Sequence, residues 1–307
     1  MTGSTNPQKQ LIVICGPTAV GKTAISIELA QHFQCPIISF DSRQFYKEMS
    51  IGTAKPDADE LAAAEHHFIS NRSIEDEVYT AGKFEADALR LLDELFQEHD
   101  VCIAVGGSGL YIDALCYGID DIPSDSKVRK ELEERWQTEG LEVLQKEVLE
   151  IDPDFYHESD MQNPRRVMRA LEAYQLTGKP YSILRTRTAK KRPFSFIWIG
   201  LEQEREILFD RINQRVDIMM EKGLLEEVKQ LEDKQDLKAL KTVGYREIFS
   251  YLKDEYDLEE AIRLIKRNSR QYAKKQITWF KKNEAVIWFN PDQINEIIAV
   301  INKKIIG

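Results

Sequence analysis

The stretch Leu11-Ile-Val-Ile-Cys15-Gly16-Pro-Thr-Ala-Val-Gly21-Lys22-Thr23 decides how the rest of the chain is read. Leu11–Cys15 is a short apolar run rich in β-branched residues, as in a strand buried on both faces of a parallel sheet. Gly16–Thr23 then matches G-x-x-x-x-G-K-[ST] in full, and helical periodicity runs from Lys22 to about Phe33. Strand, glycine turn and helix come in the order a phosphate-binding loop requires. Its glycines let backbone N–H groups curl around phosphate oxygens, and the helix N-terminus adds positive potential. Gly16, Pro17, Thr18, Ala19, Val20, Gly21, Lys22 and Thr23 are thus the expected phosphate ligands. Lys22 would neutralise a terminal phosphate, and the Thr23 hydroxyl would hold Mg²⁺. The motif calls for a di- or triphosphate without saying which.

Further apolar runs follow at Pro36–Phe40, Val101–Val105, Phe196–Gly200 and Val286–Phe289. Helical patterns separate them at 81–98, 204–232 and 257–282. Alternation of this kind predicts an α/β fold, a P-loop NTPase-like parallel sheet flanked by helices. Residues 119–194 break the alternation, with helical patterns and turn signals but no convincing strand. Three segments are therefore expected: a first part of the α/β core over 1–118, a helical insertion over 119–194, and a second part of the core over 195–307 that carries a basic helix. The insertion is electrically lopsided, with 13 acids and 5 bases over 121–160 against 9 bases and 1 acid over 161–195.

The 307 residues suffice for about two domains. With 42 basic against 52 acidic residues the net charge is −10, which argues against a general nucleic-acid coat protein but leaves room for local basic surfaces. The four cysteines, Cys15, Cys35, Cys102 and Cys116, have no zinc spacing and read as reduced core thiols of a cytoplasmic protein. No apolar run is long enough for a membrane span, and polar Met1–Gln10 has no signal-peptide core.

Asp41 closes the second strand, and strand C-termini line the ligand crevice of an open parallel sheet. A carboxylate there can accept a proton from a nucleophile; the plainer alternative is an Asp that only orders a turn. Val101–Val105 runs into Gly106-Gly107-Ser108 without the acid that a motor-type ATPase places after such a strand. Group transfer is favoured instead. Two basic surfaces stand out in this acidic chain. Over 263–282 there are eight bases and no acid, and Arg263, Lys266, Arg267, Arg270, Lys274 and Lys281 fall on one helical arc opposite Ile265, Tyr272, Gln276 and Trp279. The other begins at Asn163-Pro164, a natural helix start, where Arg165, Arg166 and Arg169 crowd the positive end of a helix dipole. A polyanionic partner would account for that placement; so would local salt bridges to the acidic stretch.

Taken together, several segments resemble the bacterial tRNA dimethylallyltransferases (isopentenyl-tRNA transferases). They are Gly16–Thr23, Asp41-Ser-Arg-Gln-Phe-Tyr46, Ile51-Gly-Thr-Ala-Lys-Pro56, Gly106-Gly-Ser-Gly-Leu-Tyr111, Arg211-Ile-Asn-Gln-Arg215, Val243-Gly-Tyr-Arg246 and Lys274-Lys-Gln-Ile-Thr-Trp-Phe280. The resemblance implies a loop holding dimethylallyl diphosphate, and transfer of the dimethylallyl group to the exocyclic N6 of the adenosine 3′ of a tRNA anticodon. By matching position it makes Asp41 the general base, and has Thr18, Lys22, Thr23 and Arg215 hold the departing diphosphate with Mg²⁺. It turns Asp41, Ser42, Arg43, Gln44, Ser108, Arg129, Gln162, Asn163, Pro164, Arg165 and Arg166 toward the tRNA anticodon stem-loop, with Arg270 added from the basic helix. Ser108 stands where the family often has Thr. The expected partners are tRNA and the prenyl diphosphate, with no membrane and a monomeric protein. Two other readings remain open on residues alone: a P-loop small-molecule or nucleotide kinase, and a non-catalytic RNA-binding module.

Overall fold

The computed structural model describes residues 8–186 and 188–306. The polar N-terminal stretch, expected to carry no targeting signal, falls mostly on residues 1–7, outside the described residues. The chain divides into two compact units, one made of the segments Met1–Cys116 and Lys191–Gly307, the other Tyr117–Lys190.

The first unit is built on a parallel sheet. Its strands are β1 (Gln10–Cys15), β2 (Ile37–Ser39), β3 (His66–His67), β4 (Val101–Gly106), β5 (Ser195–Leu201) and β6 (Ile287–Phe289), in the order β3-β2-β4-β1-β5-β6. The apolar runs predict every strand but β3. That two-residue edge has no apolar signal of its own and exists because Ile37 and Ile38 pair with His66 and His67. β1 is buried along its whole length between β4 and β5. β2, β3 and β4 lie on one side of β1 and β5 and β6 on the other, so the loop after β1 opens at a topological switch point, where α/β sheets bind ligands. Ile12, Ile14, Ile25, Leu29, Ile103, Ile197 and Ile199 form the core beneath it.

The helix following the loop is Lys22–Phe33, as the periodicity predicts. Periodicity also suggests one helix over 204–232, but the structure has two, Arg205–Glu221 and Leu224–Lys229, followed by a 3₁₀ turn at Glu232–Lys234. Gly223 at φ +97° makes the break, a left-handed residue that ends one helix and re-aims the next. The helical pattern at 257–282 becomes a single helix, Leu258–Phe280, capped by the Asp257 carboxylate, which accepts the Glu260 N–H at 2.8 Å.

The second unit is helical, with helices Ser126–Glu139, Leu141–Ile151, Pro153–Glu158, Pro164–Thr177 and Tyr181–Leu184 around Leu132, Leu144, Val148, Phe155, Val167 and Leu171. Two buried carboxylates organise it. Glu172 accepts from Arg129 at 2.9 Å, from Arg169 at 2.8 Å and from the Asp125 N–H at 2.9 Å. Asp152 caps Pro153–Glu158 and accepts from the Ser182 N–H and hydroxyl at 2.7 and 2.6 Å. Among the described residues, no helix is long and apolar enough to cross a membrane.

Candidate active site

Gly16 follows β1 at φ +146°, and a Cβ there would lie 2.5 Å from the Leu201 carbonyl oxygen at the end of β5. Only glycine lets the loop turn that close to the neighbouring strand. Ala19 takes a left-handed conformation at φ 64°, an uncommon state for a residue with a side chain and a mark of a backbone held by its surroundings. Lys22 Nζ donates to the Gly16 and Pro17 carbonyls at 3.1 and 2.7 Å, so the lysine folds back under the loop it serves. Burial lowers the Lys22 ammonium to about 8; Asp41 works against the fall and Arg215 adds to it.

The loop forms one wall of a cleft of about 700 Å³. Lys22, Thr23, Asp41 and Arg215 line it together with Ile51, Ala54, Leu61 and Met219, which give it an apolar side. A second chamber of about 260 Å³ adjoins it, lined by Ser42, Arg43, Thr242, Val243 and Ser269. Thr18, Asp41, Arg215, Met219 and Tyr272 border both chambers. Asp41 therefore stands where the two meet. One of its oxygens, Oδ1, accepts the Arg43 N–H at 3.0 Å, so Asp41 orders the turn and also lines the cleft. Arg215 lies on the Arg205–Glu221 helix. Burial and the neighbouring Arg211 pull its guanidinium downward while Glu60 and Asp41 oppose, and an arginine remains charged throughout. Arg211 itself is exposed, with its guanidinium beside Gly21.

Residue reading alone misses the part played by Gln276. It is a buried glutamine on the Leu258–Phe280 helix, accepting the Thr18 N–H at 2.8 Å and donating to the Gly107 carbonyl at 3.0 Å. It bolts the phosphate loop to the turn after β4. A polar residue in the otherwise apolar stripe with Ile265 and Ala273 is the signal that could have found it. Tyr272, one turn earlier, borders both chambers.

The other expected site residues divide into free and engaged groups. Gln44 lies in the larger chamber, its amide donating to the Thr53 and Ala54 carbonyls at 3.3 and 3.1 Å. Ser108, expected at an RNA contact, is instead buried: its hydroxyl meets the Ser42 N–H and hydroxyl, each at 3.0 Å. Arg129, expected there too, pairs with Glu172, as does Arg169; the partner is a carboxylate of the Pro164–Thr177 helix itself and not of the acidic 121–160 stretch. Gln162, Arg165 and Arg166 are exposed, and Asn163 caps the Pro164–Thr177 helix as predicted. The arc of the basic helix is less free than its periodicity suggests. Lys266 pairs with Asp217, Arg270 donates to Asn213 and lies over Phe209, and Lys274 lies over the same ring. Half of the arc thus meets the Arg205–Glu221 helix, a neighbour that one-dimensional periodicity does not reveal, while Arg263 and Arg267 are exposed. Phe45 and Tyr46 are packing residues, with Phe45 in a cluster with Phe68, Tyr79, Phe84 and Tyr111.

Among the described residues, no three His, Cys, Asp or Glu side chains converge as a metal site. That suits Mg²⁺ carried by phosphate oxygens and water with one or two protein ligands, and the Thr23 hydroxyl in the cleft beside Asp41 fits such a role. The cysteines are buried and unpaired, and burial pushes the Cys15, Cys35 and Cys102 thiols up to about 12.

A phosphate-binding loop at a sheet's switch point, opening on a two-chambered cleft with a carboxylate at the junction, defines a P-loop fold suited to group transfer. The profile of the family described as IPP transferase matches residues 44–283, and the chain belongs to that family. It is 50% identical over 293 residues to tRNA dimethylallyltransferase 1 of Phocaeicola vulgatus, covering 95% of this chain and 97% of the relative. It is also 50% identical to the tRNA dimethylallyltransferase of Christiangramia forsetii, over 96% of this chain and 98% of that one. Among solved structures, the full-length tRNA isopentenylpyrophosphate transferase of Bacillus halodurans superposes with TM-score 0.71 at 38% identity, covering 97% of both chains. A eukaryotic dimethylallyltransferase captured acting on tRNA superposes with TM-score 0.78 at 28% identity, over 97% of this chain and 79% of that one.

Proposed function

We propose that this protein transfers the dimethylallyl group of dimethylallyl diphosphate to N6 of the adenosine 3′ of the anticodon in tRNA, releasing diphosphate. The observation that carries the proposal is the position of Asp41 at the junction of the two chambers, beside Lys22 and Arg215. The larger chamber offers cations and loop N–H groups for a diphosphate and an apolar side for a five-carbon chain. The smaller one admits the acceptor base, which must leave its stack to reach a pocket, as bases of RNA loops can.

In the transfer, the bond between the allylic carbon and the diphosphate oxygen breaks as N6 bonds to that carbon, and Asp41 takes the N6 proton. Lys22, the loop N–H groups and Arg215 absorb charge on the departing oxygen; fixed electrostatics of this kind is usually the largest catalytic contribution. The Thr23 hydroxyl would hold a Mg²⁺ ion in part, and that ion would supply further charge neutralisation on the diphosphate. An adenine amine is a poor nucleophile because its lone pair is delocalised, and a positioned base is worth roughly 10²- to 10⁴-fold. Gln276 holds the Thr18 backbone in place for that geometry. Asp41–Gln44 meet the tRNA at the cleft, and exposed Arg165 and Arg166 supply phosphate contacts. The decisive experiment is incubation with labelled dimethylallyl diphosphate and unmodified tRNA, followed by nucleoside analysis. Labelled N6-prenyladenosine is expected; phosphoryl transfer from ATP with no prenylation would replace this reading with the kinase.

A further inference from the structure

The wall of the larger chamber facing the phosphate loop has no regular structure. It is the segment from Ser50 to Pro56, and Ile51, Thr53, Ala54 and Lys55 all line the chamber. Its shape is nevertheless tightly prescribed. The Glu227 carboxylate accepts three successive backbone N–H groups: Ser50 at 2.9 Å and Ile51 at 2.7 Å on one oxygen, Gly52 at 3.0 Å on the other. The Tyr245 hydroxyl donates to the same oxygen as Gly52, at 2.5 Å. Tyr245 is fully buried, and its ring lies so close under the loop that a Cβ on Gly52 would be 2.5 Å from it. Farther along, Ala54 is held left-handed at φ 48° while Gln44 grips the carbonyls of Thr53 and Ala54. A left-handed alanine persists only where its surroundings impose it.

Glu227 reaches this loop only because Gly223 breaks the helical run and re-aims Leu224–Lys229. It lines neither chamber and so cannot touch a bound ligand directly. Its chemistry suits the clamp: three converging N–H donors and a hydroxyl need an acceptor with two oxygens and no hydrogen, which among side chains only a carboxylate provides.

We infer that Glu227, braced by Tyr245, is a positioning residue that sets the 50–56 wall against the prenyl diphosphate and so governs donor affinity. The inference rests on the donor assignment made under Proposed function. Replacing the carboxylate by an amide exchanges one acceptor oxygen for an NH₂ donor, so one side of the clamp, either the Ser50 and Ile51 N–H pair or the Gly52 N–H, loses its acceptor.

The test uses the full chain with Glu227→Gln and Tyr245→Phe. Calorimetric binding of dimethylallyl diphosphate without tRNA is measured beside KM for each substrate, kcat and thermal midpoint. Glu227→Gln is expected to weaken donor binding and raise donor KM by about tenfold. Tyr245→Phe should move both in the same direction by about threefold. KM for tRNA and kcat at saturating donor should stay within about twofold of wild type. Donor affinity unchanged in both folded variants overturns the inference. So does a parallel decline of donor KM, tRNA KM, kcat and thermal midpoint, which marks a structural role only. If Glu227→Gln does not fold, Tyr245→Phe decides alone. If the wild type binds the donor but prenylates no tRNA, the proposed function fails while the clamp is still judged on donor binding.

Discussion

Raising the pH from about 7 to about 9 is expected to loosen the protein's hold on a diphosphate, because its principal lysine loses charge over that interval. Burial brings Lys22 down to about 8, against about 10.4 for lysine in an unfolded chain. A diphosphate seated in the loop favours the charged form, so binding takes up a proton wherever the free protein has lost one. The uptake should be about a tenth of a proton at pH 7, about half at pH 8 and about nine-tenths at pH 9. Affinity should then fall with a slope approaching about tenfold per pH unit above pH 8. The terminal phosphate's own ionisation, near about pH 6, is complete by then and does not interfere. For folding, the sign runs the other way: a folded pKa below the unfolded one means the ligand-free protein gains stability as pH rises from about 8 to about 10.4. Calorimetric titration with dimethylallyl diphosphate in two buffers of different ionisation heat counts the protons. Lys55, on the facing wall, is also lowered by burial to about 8, so Lys22→Arg is needed to separate the two. A guanidinium stays charged, and the share of the uptake due to Lys22 should vanish. No uptake in the wild type between pH 7 and 9, or full uptake surviving in Lys22→Arg, refutes the reasoning.

Asp41→Asn keeps an oxygen to accept the Arg43 N–H, so the turn should survive while kcat drops roughly 10²- to 10⁴-fold and KM for tRNA holds; near-normal turnover in steady-state assays would remove Asp41 from the role of base. Arg166→Glu should raise KM for tRNA and flatten its dependence on salt, since Arg166 is exposed and makes no ion pair among the described residues. A change confined to the donor KM would count against that contact. Arg270→Glu, by contrast, breaks the contacts with Asn213 and Phe209, and its main effect should be a lower thermal midpoint in scanning calorimetry.

The phosphate loop and the type of sheet around it were legible along the chain because their causes are local. Strand Leu11–Cys15, the glycines, Lys22 and the helix behind it follow one another directly along the chain, and each residue type is demanded by backbone geometry or phosphate chemistry where it stands. Asp41 was legible for a related reason: a strand end in an alternating α/β pattern points to the crevice. What periodicity could not supply is the identity of the neighbour against which a face packs. It put Lys266, Arg270 and Lys274 on a basic arc, but folding set these three against the Arg205–Glu221 helix. The family resemblance turned Arg129 toward tRNA, but folding pairs it with buried Glu172, 43 residues away. Gln276 and Glu227 serve the cleft across separations of 258 and 176 residues, to Thr18 and Ile51. Contacts of that range leave no repeat or motif spacing to read; they come into being only when the sheet brings distant segments together, and the buried polar groups must then find one another or remain unpaired.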